Sequence, residues 1–367
     1  MAHLLAPPIT LLIAAVLLVV VGALPALPAL ARGSAKARLA VLVPLVALGL
    51  GAYGIRMAFQ HGAVMSEGFP TQIVKYAVED LNVASAPTVL VIEGGSYVLN
   101  GVDVELVMDE LAKLGVDARV VRLAAGAANH FERYRMGQNV VQRLSAKRPG
   151  QRWVYLTEVH LKYDNAPIAQ FMENADAARA YDYMTPTNAW AAAQALRSPG
   201  VQVPDGWRWT LLRHALINSF NVGAASRYVP EADVVPGGGR VNRHRKQRFR
   251  FRGMARQIAS LDEPVTAARL PWLRDVREPR LLRLWQPYTT ELVYFGLPAA
   301  NLEQLTYVRE FCAATERKCI APADPQLLRA LDDAALWRDP GHLMTRGAEI
   351  YSRWLARQLV AQKIVGP

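Results

Sequence analysis

Cysteine is nearly absent from this 367-residue chain. Its two residues, Cys312 and Cys319, are too few for a disulfide scaffold or a four-thiolate zinc site. Long apolar runs are confined to the first sixty residues and mean hydropathy is only +0.08, which excludes a polytopic transporter. Acidic residues are outnumbered by basic ones, 31 against 42, so the net charge is +11 and the isoelectric point about 9.8. That balance suits an anionic partner: nucleic acid, phospholipid head groups or an acidic polymer. There is no internal repeat and no second histidine or cysteine cluster at ligand spacing, so neither a metal nor a cofactor is expected. Hydrophobic residues make up 52% and charged ones 20%, enough for a sizeable core and incompatible with wholesale disorder.

The apolar runs come first. Residues 4–31 carry no charge over 28 positions, more than the roughly 20 that a helix needs to cross the hydrocarbon core. Arg32, Lys36 and Arg38 follow, and then a second uncharged run, 39–55, whose flanking Arg38 and Arg56 can snorkel to the interfaces. Ala29, Leu30 and Ala31 resemble the small-residue site of a cleaved signal peptide. Against that, no Lys or Arg precedes the run, the run is too long, and another follows directly. Two spanning helices near 9–30 and 39–59 are expected, making residues 1–63 a membrane anchor. The basic loop between them belongs in the cytoplasm. In a Gram-negative-like cell the domain beyond about residue 65 is then periplasmic. That compartment tolerates a Cys312–Cys319 bridge if residues 315–318 turn back; two free thiols are the alternative.

Residues 64–86 read as a linker with a helical turn or two at 72–81, and 87–367 as one α/β domain. Pro87, Thr88, Val89, Leu90, Val91 and Ile92 form a short apolar run rich in β-branched residues and bounded by Gly94 and Gly95, the pattern of a buried parallel strand. Helical spacing follows over 102–114, with Val104, Val107, Met108 and Leu111 on one face and Gly115 as the stop. Strands at 118–123 and 153–159 flank a helix at 131–144. This rhythm predicts a three-layer, flavodoxin-like parallel sheet covered on both faces. Residues 166–275 interrupt it as a long insertion, with an alanine-rich helix around 189–196, Trp207 and Trp209, and eight Lys or Arg without an acid between 240 and 256. The rhythm resumes with a strand at 280–285 or 291–295, a helix at 302–315 and a last helix at 345–361 that turns Ile350, Trp354, Leu355 and Leu359 inward.

Chemistry concentrates at the two ends of this pattern. Ser96 follows the first strand through a Gly94-Gly95 turn, at the carboxyl edge of the sheet where α/β proteins place their sites. Asp339, Pro340, Gly341, His342 and Leu343 precede the last helix. A carboxylate three residues before a histidine, held by a Pro-Gly turn, can fix one imidazole nitrogen and leave the other to take a proton from a serine hydroxyl. Each piece alone is weak, since a Gly-Gly-Ser turn is most often only a turn. In this order they resemble the SGNH (GDSL-like) hydrolase superfamily, through Gly94, Gly95 and Ser96 and through Asp339, His342, Leu343 and Gly347. The resemblance covers roughly 87–165 and 290–361. It implies a catalytic Ser96, His342 and Asp339, and an oxyanion hole made by the amides of Ser96 and Gly126.

Two departures qualify the resemblance. Gly95 replaces the family's aspartate before the serine, and no asparagine follows the third strand, where the sequence reads Thr157, Glu158, Val159 and His160. His160, Thr157 or Asn165 would then serve as a third donor. With the membrane anchor, these departures look like the SGNH-like proteins that work beside membrane-bound O-acyltransferases in bacterial polysaccharide modification. An esterase or O-acyltransferase (an O-acetyltransferase, for instance) acting on a surface polymer is the implied function. A non-catalytic SGNH-fold subunit that binds polymer or scaffolds a membrane complex is the alternative. In the insertion, Trp207, Trp209, Arg245 and Arg248 suit sugar rings, an anionic polymer or lipid head groups; a core role for the tryptophans and a solvated loop for the arginines compete. Nucleic acid would need a cytoplasmic domain and is not expected.

Overall fold

A computed structural model describes residues 69–145, 149–173, 185–203, 205–207, 249–266, 271–288 and 291–366, with isolated positions elsewhere. Apart from such positions, both expected spanning segments and much of the insertion, including Trp209, Arg245 and Arg248, lie outside these residues. Among the described residues no helix is long and apolar enough to cross a membrane.

Five strands, β1 (Thr88–Gly94), β2 (Ala118–Ala124), β3 (Arg152–Glu158), β4 (Glu291–Phe295) and β5 (Cys319–Ile320), form a wholly parallel sheet in the order β2-β1-β3-β4-β5. The order is compatible with a flavodoxin-like fold. Side chains alternate strictly between two cores, as period-two strands covered on both faces require. Val89, Val91, Trp153, Tyr155, Leu292 and Tyr294 enter one core, beneath helices α1 (Phe69–Val83) and α4 (His130–Val141). Leu90, Ile92, Val154, Leu156, Val293 and Phe295 enter the other. That second core lies beneath α2 (Ser96–Gly101), α3 (Val104–Lys113) and the last helix, α12 (Thr345–Ala361).

Local chemistry sets the helix limits. Asp103 caps α3 by accepting the amides of Glu105 and Leu106, and Asn129 caps α4 through those of Phe131 and Glu132. Between β3 and β4 run α5 (Leu161–Asn165), α6 (Pro167–Glu173), α7 (Pro186–Ala195), α8 (Ala255–Ala259), a π turn (Leu273–Arg277) and α9 (Glu278–Trp285). Helices α10 (Leu302–Ala314) and α11 (Pro325–Ala330) flank β5, and the hairpin β6 (Trp337–Asp339) with β7 (His342–Leu343) precedes α12.

Two details differ from the reading of the sequence, and two alternatives it left open are decided. Residues 69–83 are a four-turn helix burying Ile73, Val74, Ala77 and Leu81, not a turn or two within a linker. Of the two candidate strands, 291–295 is the strand. Residues 280–285 are helical, with Leu281 and Trp285 buried four apart while Arg283 stays exposed. On α12, Ile350 is only half-buried and Tyr351 takes the core position. Cys312 and Cys319 are bridged, tying the end of α10 to β5.

Candidate functional site

Strand β1 lies between β2 and β3 in the sheet, and the chain leaves its carboxyl end through Gly94 and Gly95 directly into α2. Ser96 is therefore the first helical residue, with an amide that has no intrahelical acceptor. The tight turn depends on a close approach at Gly94: a β-carbon there would overlap the Val98 side chain and lie 2.8 Å from Glu158 Oε2.

The β6–β7 hairpin brings the other half of the site. Asp339 Oδ1 accepts the amides of Gly341 (2.9 Å) and His342 (3.1 Å), so its carboxylate closes the turn that carries the histidine. The His342 ring donates from Nδ1 to the same carboxylate, at 2.8 Å to Oδ1 and 3.0 Å to Oδ2. Its Nε2 then carries the lone pair, and Ser96 Oγ donates to it at 2.8 Å. Burial alone would raise the Asp339 carboxyl; the bonds from His342 and the Gly341 amide outweigh it and hold the group below the usual carboxylate range. Three residues expected to work together, 246 positions apart at the extremes, thus form one unbroken hydrogen-bonded chain.

Tyr97 walls this chain. Its ring centroid lies 4.7 Å from that of His342 and 4.4 Å, edge-on, from that of His160. A side chain at Gly341 would collide with its hydroxyl, so the Pro-Gly turn is also a packing requirement. Burial first, then the Glu158 and Asp339 carboxylates, push the Tyr97 hydroxyl up to about 12, so it stays protonated.

His160 stands where β3 gives way to α5, as its place in the sequence implied. Its Nδ1 accepts the Lys162 amide at 3.2 Å, so the ring proton belongs on Nε2. Burial, then Arg133, His342 and Lys162, push its pKa down to about 3, and the ring is a neutral donor. Thr157 is not available as a donor, because its hydroxyl is committed to Glu93 and accepts from Arg277 at 2.5 Å. Gly126 lies two residues past Ala124, which pairs with Gly94 at the carboxyl edge. Trp207 is half-buried. Among the described residues no group of three or more His, Cys, Asp or Glu could hold a metal ion.

The sequence reading missed a buried charged system behind the Ser96 turn, made of Glu93, Arg133, Glu158 and Arg277. The available signal was a lone glutamate near the end of each of two apolar strands, Glu93 in β1 and Glu158 in β3, since a fully buried charge needs a partner. Compared with family models, curated proteins and solved structures, the chain matches none of them.

Proposed function

We propose that this chain is a membrane-anchored serine esterase or O-acyltransferase of SGNH type, acting through an acyl-serine on acyl groups of a bacterial surface polysaccharide. The observation that carries the proposal is the Asp339–His342–Ser96 chain at the carboxyl edge of a parallel sheet. Ser96 Oγ attacks the acyl carbonyl carbon while His342 Nε2 takes its proton, and Asp339 stabilises the imidazolium that forms. The carbonyl oxygen becomes an oxyanion held by the amides of Ser96 and Gly126, with the Nε2–H of His160 as third donor. Such donors contribute on the order of 3 kcal/mol each. Collapse breaks the bond to the leaving alkoxide, which takes the proton back from His342. Water or a sugar hydroxyl then attacks the acyl-serine by the same steps in reverse.

The bridged Cys312–Cys319 pair supports an oxidising compartment, in keeping with two amino-terminal spans and a periplasmic domain. A cysteine introduced at Ser34 is then shielded from an impermeant thiol reagent in intact cells, and its labelling there would reverse the orientation. For the chemistry, a fluorophosphonate should label the wild-type chain at Ser96 and leave Ser96→Ala unlabelled. No labelling of the wild type at any concentration would favour the non-catalytic subunit.

A further inference from the structure

The charged system behind the Ser96 turn plays no part in the steps above, yet it touches the turn itself. Glu158 Oε2 accepts the Gly95 amide at 2.6 Å and pairs with Arg133 Nη1 at 3.0 Å. Arg133 Nε lies 2.9 Å from Glu93 Oε1, and Arg277 Nη2 lies 3.4 Å from Glu93 Oε2. Two carboxylates and two guanidiniums, each side chain no more than 6% exposed, thus run from the π turn to the residue before Ser96. Glu158 Oε1 is buried and accepts no hydrogen bond among the described residues.

A carboxylate serving the fold alone would gain most by placing both oxygens on donors. Glu158 instead spends one oxygen on the amide next to Ser96 and leaves the other bare. That amide fixes how the peptide enters α2, and through it the 2.8 Å contact between Ser96 Oγ and His342 Nε2. An error of about 1 Å at such a contact costs on the order of a hundredfold in rate.

We propose that Glu158 is a positioning residue: as a carboxylate it anchors the Gly95 amide and holds Ser96 against His342, and on protonation it releases the turn, so acylation of Ser96 requires Glu158 in its ionised form. The proposal rests on Ser96 being the nucleophile. The groups facing Glu158 are Glu93 from β1, Tyr97 from α2, Arg133 and behind it His130 from α4, Asp164 from α5 and Tyr351 from α12. His160 follows two residues along the chain, against Tyr97, and Arg277 pairs with Glu93. Burial raises the Glu158 carboxyl to about 7, against the pull of Arg133 and the Gly95 amide and with the push of Glu93 and Asp164. The switch therefore falls near neutrality.

The test uses the full-length protein in detergent, with two readouts between pH 4.5 and 9. One is the rate of fluorophosphonate labelling. The other is the amide resonance of Gly95 in glycine-¹⁵N protein, which reports the hydrogen bond without any chemistry at Ser96. In the wild type, log rate should fall toward low pH with a limiting slope one unit steeper than in Glu158→Gln, and the Gly95 resonance should titrate near neutrality. In Glu158→Gln that extra slope and the Gly95 titration should both vanish, and labelling at high pH should be about tenfold slower. Superimposable pH profiles for the two proteins, or a wild-type Gly95 resonance that does not move with pH, would overturn the proposal. The wild-type titration needs no variant, so an unfolded Glu158→Gln leaves the test intact. No labelling at any pH would remove the acyl-serine reading, and the Gly95 titration would then decide the anchoring alone.

Discussion

Ser96, His342 and Asp339 can act as one unit only if the loss of one member removes what the others supply. Ser96→Ala and His342→Ala should therefore each abolish labelling, and the double variant should be hardly worse than either. Asp339→Asn should cost about one to two orders of magnitude less than either, because the imidazole remains but favours the wrong tautomer. Residual turnover of p-nitrophenyl acetate decides it: losses that multiply in the double variant would mean independent roles and would sink the triad. These three residues were legible in the sequence because each flanks a Gly-Gly or Pro-Gly turn at the edge of an α/β pattern. Tyr97 and Glu158 were not. Glu158 meets Gly95 across 63 positions, and nothing in a single glutamate at a strand end says which amide it will hold.

At the scale of elements, the passage from β1 to α2 is the demanding piece. Gly94→Ala must displace Val98, which lines the core beneath α3, and crowd Glu158 as well. It should destabilise by about 1–3 kcal/mol and slow labelling of Ser96. Gly126→Ala meets nothing within 4 Å and should stay within about 0.5 kcal/mol of the wild type. Thermal midpoints compare the two directly, and equal midpoints would contradict the packing of the turn. Long periodic elements were readable: α12 runs over the residues its spacing predicts, and β2 and β3 fall within one position of theirs. The short ones were not. Strand β5 has two residues, too few for any period, and exists through its pairing with Tyr294 and Phe295. The helix over 69–83 exceeded its expected length because one face meets α4 and β2, a tertiary gain that local pattern underweights.

For the whole molecule, the question is how a net charge of +11 relates to a site whose own charges are balanced. The end of the basic tract offers an answer. Phe249 and Phe251 are half-buried and turn inward, with Phe251 stacked on Trp337 at 6.3 Å, while Arg250 and Arg252 between and after them stay exposed. Met254 donates its amide to Asp332 and anchors the segment further. The alternation of arginine and aromatic residues is thus an extended segment with one face on the core, seated beside the hairpin that carries Asp339. Its arginines are free to meet an anionic polymer without touching the reacting atoms. Arg250→Gln with Arg252→Gln should leave turnover of a small ester such as p-nitrophenyl acetate within about twofold of the wild type. Binding of an acidic polysaccharide should weaken several-fold at low salt, where the screening length is about 30 Å at 0.01 M. The difference should disappear toward 1 M, where that length is about 3 Å and exposed charges no longer reach a partner. Parallel measurements of ester turnover and polymer binding across that salt range check both halves. If the arginine variants lose small-ester turnover while Ser96→Ala retains it, the chemistry resides in the basic insertion and Ser96 is only a turn.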